Sequence, residues 1–349
     1  MSSFSNFYGN QPVTETLAKM LANRQIPQTI LLSGPEGVGK ATLVRRFASG
    51  LLGDEAKIER DDLSLPANLD AIEQREKWTA EKRGDDPLLF SSHPDFVSFV
   101  PEGPLRQITI QQMRLLRERA QYKPLHGSYR VFLIDHLERA NEQAANSLLK
   151  VLEEPPEHMI LFATVENLYD LLPTIRSRAV TLSLSRLSET DMQRFAVAKS
   201  LSDADLRVAI SEGCPGVAAT LDLATFKARR NTMLAAFECA AGAIPFSAWI
   251  AQAEGFVQRK SEKLELYLKH AYFLLEDILA ALYGGVLVRN RDVGDRIAQI
   301  ASRVDFEWVE KAMRTIDELV VMVRRNIQKT ASLDAMIIRL SKQPQPLGT

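Results

Sequence analysis

The chain has 349 residues, 46% hydrophobic and 25% charged, proportions ordinary for globular protein and a length that one hydrophobic core rarely serves, so two or three domains are expected. With 43 basic against 44 acidic residues the formal net charge is −1, which excludes a global field drawing the whole molecule to nucleic acid and leaves only local patches. The two cysteines, Cys214 and Cys239, form no CxxC pair and no Cys/His cluster, so no metal site is expected, and free thiols in a reducing cytoplasm are favoured over a disulfide. Met1 to Asn6 lacks the basic segment and apolar core of a signal peptide, and no run approaches the roughly 20 apolar residues of a membrane span. The expectation is a cytoplasmic protein without membrane contact.

From Gln11 to Asn23, Val13, Leu17, Met20 and Leu21 recur at helical spacing, and Pro27 follows as a stop. Ile30 to Ser33 reads as a short apolar strand. Gly34-Pro35-Glu36-Gly37-Val38-Gly39-Lys40 then opens a helix over Lys40 to Leu52, in which Leu43, Phe47 and Leu51 share a face. Gly34, Gly39 and Lys40 stand at the spacing of a phosphate-binding loop, where backbone N–H groups cradle phosphates and the ammonium meets the outer oxygens, and Gly37 lies inside that loop. The next residue should supply a Mg²⁺-ligating hydroxyl and is Ala41. Thr42 lies about 100° further round the helix and is expected to point away.

Gly53 to Pro87 is charged and weakly periodic, with Trp78 its lone large aromatic, and reads as a surface insertion of helix and loop with a solvated face. A strand is expected over His93 to Val100, and a helix after Ile108 to Ile110 with Met113, Leu116 and Ala120 on one face. Tyr129 to Asp135 reads as a buried strand ending in a carboxylate. After a phosphate loop that carboxylate fits the aspartate that helps hold Mg²⁺, with a simple turn cap as the alternative, and His136 stands where a water-polarising Glu commonly follows. Asn141 caps a helix to Glu153 that Pro155-Pro156 ends. Met159 to Thr164 is another buried strand, and the turn Leu172 to Ala179, carrying Arg176, Ser177 and Arg178, leads to a strand over Val180 to Leu184. Strands and helices alternate with long connections, which predicts a mostly parallel sheet covered on both faces.

From Arg186 onward the pattern is helical. Ser188 to Lys199 opens with a capping box of Ser188 and Asp191, Asp203 to Glu212 follows, and Gly213-Cys214-Pro215-Gly216 breaks the chain before Val217 to Leu223. Further helices are expected over Asn231 to Ala241, Phe246 to Phe256, Lys260 to Ala281, Val293 to Ser302, Phe306 to Arg325 and Ser332 to Leu340. Their apolar stripes suit a bundle or a domain packed against neighbouring subunits. The fold class is therefore α/β plus all-α.

Four features occur in order: the loop Gly34 to Lys40, the strand ending in Asp135, the stretch Asn146 to Pro156, and Ser177-Arg178 after the strand ending in Thr164. In them the chain resembles the clamp-loader branch of the AAA+ ATPases, and more closely the delta prime family of bacterial DNA polymerase III subunits. The resemblance implies a RecA-like AAA+ parallel-sheet domain over 1–185 with the charged insertion at 53–87, a small helical lid over 186–226, and a helical collar over 227–349. It implies a five-subunit ring with motor (tau/gamma) and delta subunits, which reaches primer-template DNA and loads the sliding clamp in replication.

In that family a Ser-Arg-Cys motif projects an arginine finger into the adjacent subunit's ATP site. Ser177 and Arg178 match it, and Ala179 replaces the cysteine. Gly34, Gly37, Gly39, Lys40, Asp135 and Thr164 match the nucleotide site, Thr164 at a polar sensor position. Ala41, His136 and the absence of arginine from Gly213 to Ala219 remove metal ligation, water activation and nucleotide sensing. The ATP/Mg site is thus expected to be degenerate, with no productive cofactor. The zinc module common in the family is absent as well, since no cysteine lies between Gly53 and Pro101. The expected role is a stator without ATPase activity of its own inside the DNA polymerase III nucleotidyltransferase complex. The alternatives are an active AAA+ ATPase, either a motor or another remodeller, and nucleic-acid binding by Lys227-Ala228-Arg229-Arg230 or Arg324-Arg325, although such charge runs ordinarily face solvent.

Overall fold

The computed structural model describes residues 4–251, 264–286, 289–323 and 328–341. Contacts divide the chain into two units, Met1–Leu201 with Ser211–Thr220, and Ser202–Ile210 with Leu221–Thr349.

The first unit is built on one six-stranded sheet. Its strands are β1 (Thr29–Ser33), β2 (Leu89–Phe90), β3 (Phe96–Phe99), β4 (Arg130–Ile134), β5 (Met159–Val165) and β6 (Val180–Ser183), in the order β2-β3-β4-β5-β1-β6. Every pairing is parallel except β2 with β3. Each residue of β1, β4 and β5 is buried, as strands covered on both faces must be, which is why their apolar runs are continuous rather than alternating. β6 is an exposed edge tied to β1, with Ser33 Oγ and Ser183 Oγ 2.8 Å apart.

The helix Lys40–Leu52 covers the sheet, setting Phe47 edge-on to Phe162 with ring centroids 5.0 Å apart. Thr109 and Gln112 form a full capping box before Ile110–Ala120, and the Gln112 amide also donates to the Leu88 and Val100 carbonyls at 2.9 Å each. Asn141 caps Glu142–Glu153 by accepting from the Ala144 N–H at 2.9 Å, a contact worth about 1 kcal/mol.

Several expectations need correction. The strand read over His93 to Val100 begins only at Phe96, because the Asp95 carboxylate is turned to accept the Leu125 and His126 N–H groups at 2.8 and 2.7 Å. The insertion after Gly53 is helical, over Glu55–Ile58, Pro66–Glu76 and Ala80–Asp85, but its start is anchored rather than solvated. Ile58 and Asp61 are buried, both Asp61 oxygens accept from the Ser92 N–H at 3.1 Å, and burial pushes the Asp61 carboxyl up. Buried Arg45 pairs with Glu59 at 3.0 Å and Asp62 at 2.6 Å. Arg75 and Lys82 both lie over the Trp78 ring, 4.0 and 3.8 Å from its centre. Ser188 caps Glu189–Ala198, yet Asp191 answers the Ser188 hydroxyl at 2.9 Å instead of completing a box through the backbone. The helix expected from Val217 starts at Pro215 and ends at Thr220, because proline suits the first helical position, where no N–H partner is needed.

In the second unit Glu265–Leu282 is the central helix, packed by Leu223–Ala240, Gly294–Ala301 and Phe306–Val323. The expected boundary between residues 226 and 227 falls inside Leu223–Ala240, whose start is set earlier by the Asp222 carboxylate accepting from the Ala224 and Thr225 N–H groups. Met233 to Ala240 are all buried, Glu238 by pairing with Arg296, so this half has no solvent-exposed face. Trp308 and Trp249 satisfy their indole N–H groups on the Leu340 carbonyl at 3.0 Å and Asp334 at 2.7 Å. Expectations for 252–256, 260–263, Arg324-Arg325 and Asn326 lie outside the described residues. Cys214 and Cys239 are free and buried, and burial raises both thiols.

Candidate nucleotide-loop site and the Arg178 turn

The sheet order reverses at β1, and in open α/β sheets the crevice beyond such a point is where ligands bind. Here the loop after β1, Asp135 after β4 and Thr164 near the end of β5 meet. Gly34, Gly37 and Gly39 have φ of 142°, 74° and 103°, a region side-chain-bearing residues rarely adopt. At Gly34 a Cβ would also lie 2.3 Å from the Leu184 carbonyl oxygen.

The loop's own groups are largely engaged within the chain. Lys40 Nζ donates to the Gly34 carbonyl at 2.6 Å and the Pro35 carbonyl at 3.0 Å. Burial pushes its pKa below the usual range, against the opposing pull of Asp135, Glu166, Glu138 and Glu36. The helix Pro215–Thr220 lies on the loop: the Gly216 N–H donates to the Gly37 carbonyl at 2.7 Å, and a Cβ on Gly37 would meet Val217 Cγ2 at 2.7 Å. A cavity of about 360 Å³ remains beside the loop, lined in part by Phe7, Tyr8, Ala41, Asp135 and Phe195. Thr42 also lines it, since a 100° turn brings that side chain to the rim rather than away. Glu59 and Asp62 line it too, a contribution of the insertion that the sequence reading missed; the acidic residues facing Arg45-Arg46 were its only signal.

Thr164 is fully buried and its hydroxyl is committed twice, donating to Asp135 Oδ1 at 2.5 Å and accepting the His136 N–H at 2.9 Å. His136 takes the left-handed conformation, φ 56°. Its Nδ1 lies 2.9 Å from Glu138 Oε1, and that hydrogen bond, outweighing burial, raises the imidazole pKa. Burial pushes Glu138 up, but hydrogen bonds from His136 and its own backbone, with the His136 and Lys40 charges, hold it lower overall. With Glu166 these two side chains offer ligand atoms within 4.8 Å of one another. That trio, brought together by folding, is the one group of metal-ligating type among the described residues; no sequence spacing announces it.

Ser177 and Arg178 lie elsewhere in the unit, at the end of the short helix Pro173–Arg176 that leads into β6. Ser177 Oγ donates to the Thr174 carbonyl at 3.2 Å. Arg178 Nη1 donates to the same carbonyl at 3.0 Å and Nη2 to Glu153 Oε1 at 3.3 Å. Arg176 lies over the Tyr169 ring, 5.2 Å from its centre. The basic run at Lys227 to Arg230 does not form a free patch. Arg230 is buried in a two-pronged pair with Asp292 at 2.6 and 2.8 Å, and Lys227 lies 3.7 Å from Asp203. No helix among the described residues is long and apolar enough to cross a membrane.

The sequence model of the family described as "DNA polymerase III, delta subunit" matches residues 9–188, just over half of the chain. Curated relatives include a DNA polymerase III subunit tau/gamma of Haemophilus influenzae, 28% identical over 192 residues, which cover 55% of this chain and 25% of that protein. A subunit gamma/tau of Mycobacterium tuberculosis is 32% identical over 188 residues, covering 51% and 28%. The chain thus spans little more than a quarter of the length of these two relatives. Among solved structures it is similar to a DNA polymerase III gamma subunit-related protein of Thermotoga maritima, with a TM-score of 0.49, 16% identity and coverage of 93% and 97%. Together the family match and the order of sheet, phosphate loop and terminal carboxylate identify the first unit as a RecA-like AAA+ domain, and the chain belongs to the DNA polymerase III delta subunit family of AAA+ clamp-loader proteins.

Proposed function

We propose that the chain is a delta prime-type stator of a clamp loader, an ATPase-shaped subunit that turns over no nucleotide itself and presents Arg178 to the ATP site of a neighbouring motor subunit. The carrying observation is that the phosphate loop is occupied by its own chain. Lys40 is held by two carbonyls, Ala41 has no hydroxyl for a metal, and Gly216 and Val217 cover Gly37. A Mg-nucleotide does not fit this donor set. To serve a phosphate the buried ammonium must leave both carbonyls, a desolvated polar exchange that is costly. Where a water-activating carboxylate would stand, His136 is bound to Glu138 instead.

Arg178 is the opposite case, a guanidinium on an exposed turn, offering a planar fork that matches phosphate oxygens. Set against the charge that develops on a transferring phosphoryl group, such a fork supplies electrostatic stabilisation and needs no proton transfer. A motor subunit of the tau/gamma type is the neighbour this reading requires, because a chain that turns over no nucleotide needs an ATP site supplied by another subunit. Primer-template DNA and the sliding clamp are then engaged through the ring, in keeping with a near-neutral chain whose Lys227 to Arg230 run is partly spent internally.

The test is ATP hydrolysis by the purified chain alone in the presence of Mg²⁺. The stator reading expects none above background. Turnover on the order of 1 s⁻¹ or faster, the ordinary range of working enzymes, would establish an active ATPase in its place.

A further inference from the structure

We propose that Glu153 is a positioning residue for Arg178, holding the guanidinium in the attitude in which it meets a neighbour's nucleotide; this rests on the finger reading given above. Glu153 is the last residue of the helix Glu142–Glu153, and Glu154 has already left helical geometry at φ −134°, ψ 66°. Pro155 and Pro156 bar continuation, so the position of Glu153 is fixed by the helix end. A carboxylate there faces the negative end of the helix dipole, an unfavourable place for it. A cation opposite relieves that, and Arg178 is the cation.

Two contacts, with the side chain's own attachment as the third point, fix the attitude of a planar group. Arg178 Nη1 donates to Thr174 O at 3.0 Å, a local contact within its own turn. Nη2 donates to Glu153 Oε1 at 3.3 Å, the one side-chain partner of Arg178 from another element among the described residues. These use two of five N–H groups and leave three to approach an anion. Because the side chains are 37% and 54% exposed, the pair orders the fork without burying it. What it removes is rotamer freedom, which a finger must otherwise lose when the partner's nucleotide arrives.

The experiment uses the full chain assembled with the clamp-loader motor subunits of its own organism and reads single-turnover ATP hydrolysis at the site this subunit faces. Glu153→Ala is expected to lower the rate constant about threefold, the factor an exposed ion pair is worth, with KM for ATP unchanged. Glu153→Gln, which keeps an acceptor oxygen at the same reach, is expected to recover most of the loss. In an Arg178→Ala background, Glu153→Ala is expected to do nothing further, because the residues act as one unit. An unchanged rate in Glu153→Ala, or an equal fall with and without Arg178, overturns the positioning role while leaving the finger standing. An unchanged rate in Arg178→Ala alone overturns both.

Discussion

Lys40 and Arg178 are cations of the same unit, yet one is engaged internally and the other is offered outward. Lys40 is 6% exposed and hydrogen-bonded to two carbonyls of its own loop, beneath a helix whose Gly216 and Val217 sit on Gly37. Arg178 is 37% exposed and held by one carboxylate and one carbonyl at a turn. A motif keeps its sequence after its groups have been redirected to packing, so the match of Gly34 to Lys40 reports the fold, whereas the availability of a side chain reports what it can do. On this reading, changes around the phosphate loop should cost stability, and changes at the Arg178 turn should cost almost none.

Gly34→Ala should show the largest effect. It places a Cβ 2.3 Å from a backbone oxygen at φ 142°, so strain and overpacking together are expected to lower stability by about 4 kcal/mol, seen as a fall in the urea midpoint. A variant as stable as wild type would show the loop to be slack rather than packed.

The helical unit supplies a scale for that figure. His270 donates Nδ1–H to the Leu266 carbonyl at 2.7 Å and lies tilted against Phe226, ring centres 4.7 Å apart; burial, the largest cause, pushes its pKa from 6.5 to about 4. The unfolded chain therefore takes up the proton first. This contribution to stability is fully present above pH 6.5, is lost progressively as pH falls to about 4 and is constant below, amounting to about 3 kcal/mol by linkage. Urea titrations across that range should show the decline in wild type and a shallower one in His270→Leu.

Arg45→Met comes next. Arg45 is 3% exposed, but its partners Glu59 and Asp62 are 27% and 28% exposed. Losing it should cost about 2 kcal/mol, less than breaking a fully buried pair, and should loosen the start of the insertion, seen as faster amide exchange there. Smallest is Arg178→Ala, expected to shift unfolding by less than about 0.5 kcal/mol because an exposed pair contributes little. A large destabilisation would make Arg178 structural.

The sheet was legible because β1, β4 and β5 each carry an unbroken apolar run, at 30–32, 131–134 and 159–163, and helix starts were legible where a side chain caps them, as at Asn141. What stayed hidden depends on partners distant in sequence. Arg45 meets carboxylates 14 and 17 residues on, so the acidic stretch looked solvated. Gly213 to Gly216 read as a break, although Pro215 begins a helix and Gly216 is needed for close approach to Gly37. That Lys40 turns onto its own loop, that His136 meets Glu138 and Glu166, and that Glu153 faces Arg178 are all outcomes of folding with no periodic signature.

The central claim is that this chain acts on a neighbour's ATP. Its most direct test is single-turnover hydrolysis at the adjoining site in an assembly carrying Arg178→Ala, with Arg178→Lys beside it. The account predicts a fall of about 10³-fold or more at that site, and no rescue by lysine, which lacks the planar fork. Hydrolysis at the wild-type rate in Arg178→Ala would contradict it.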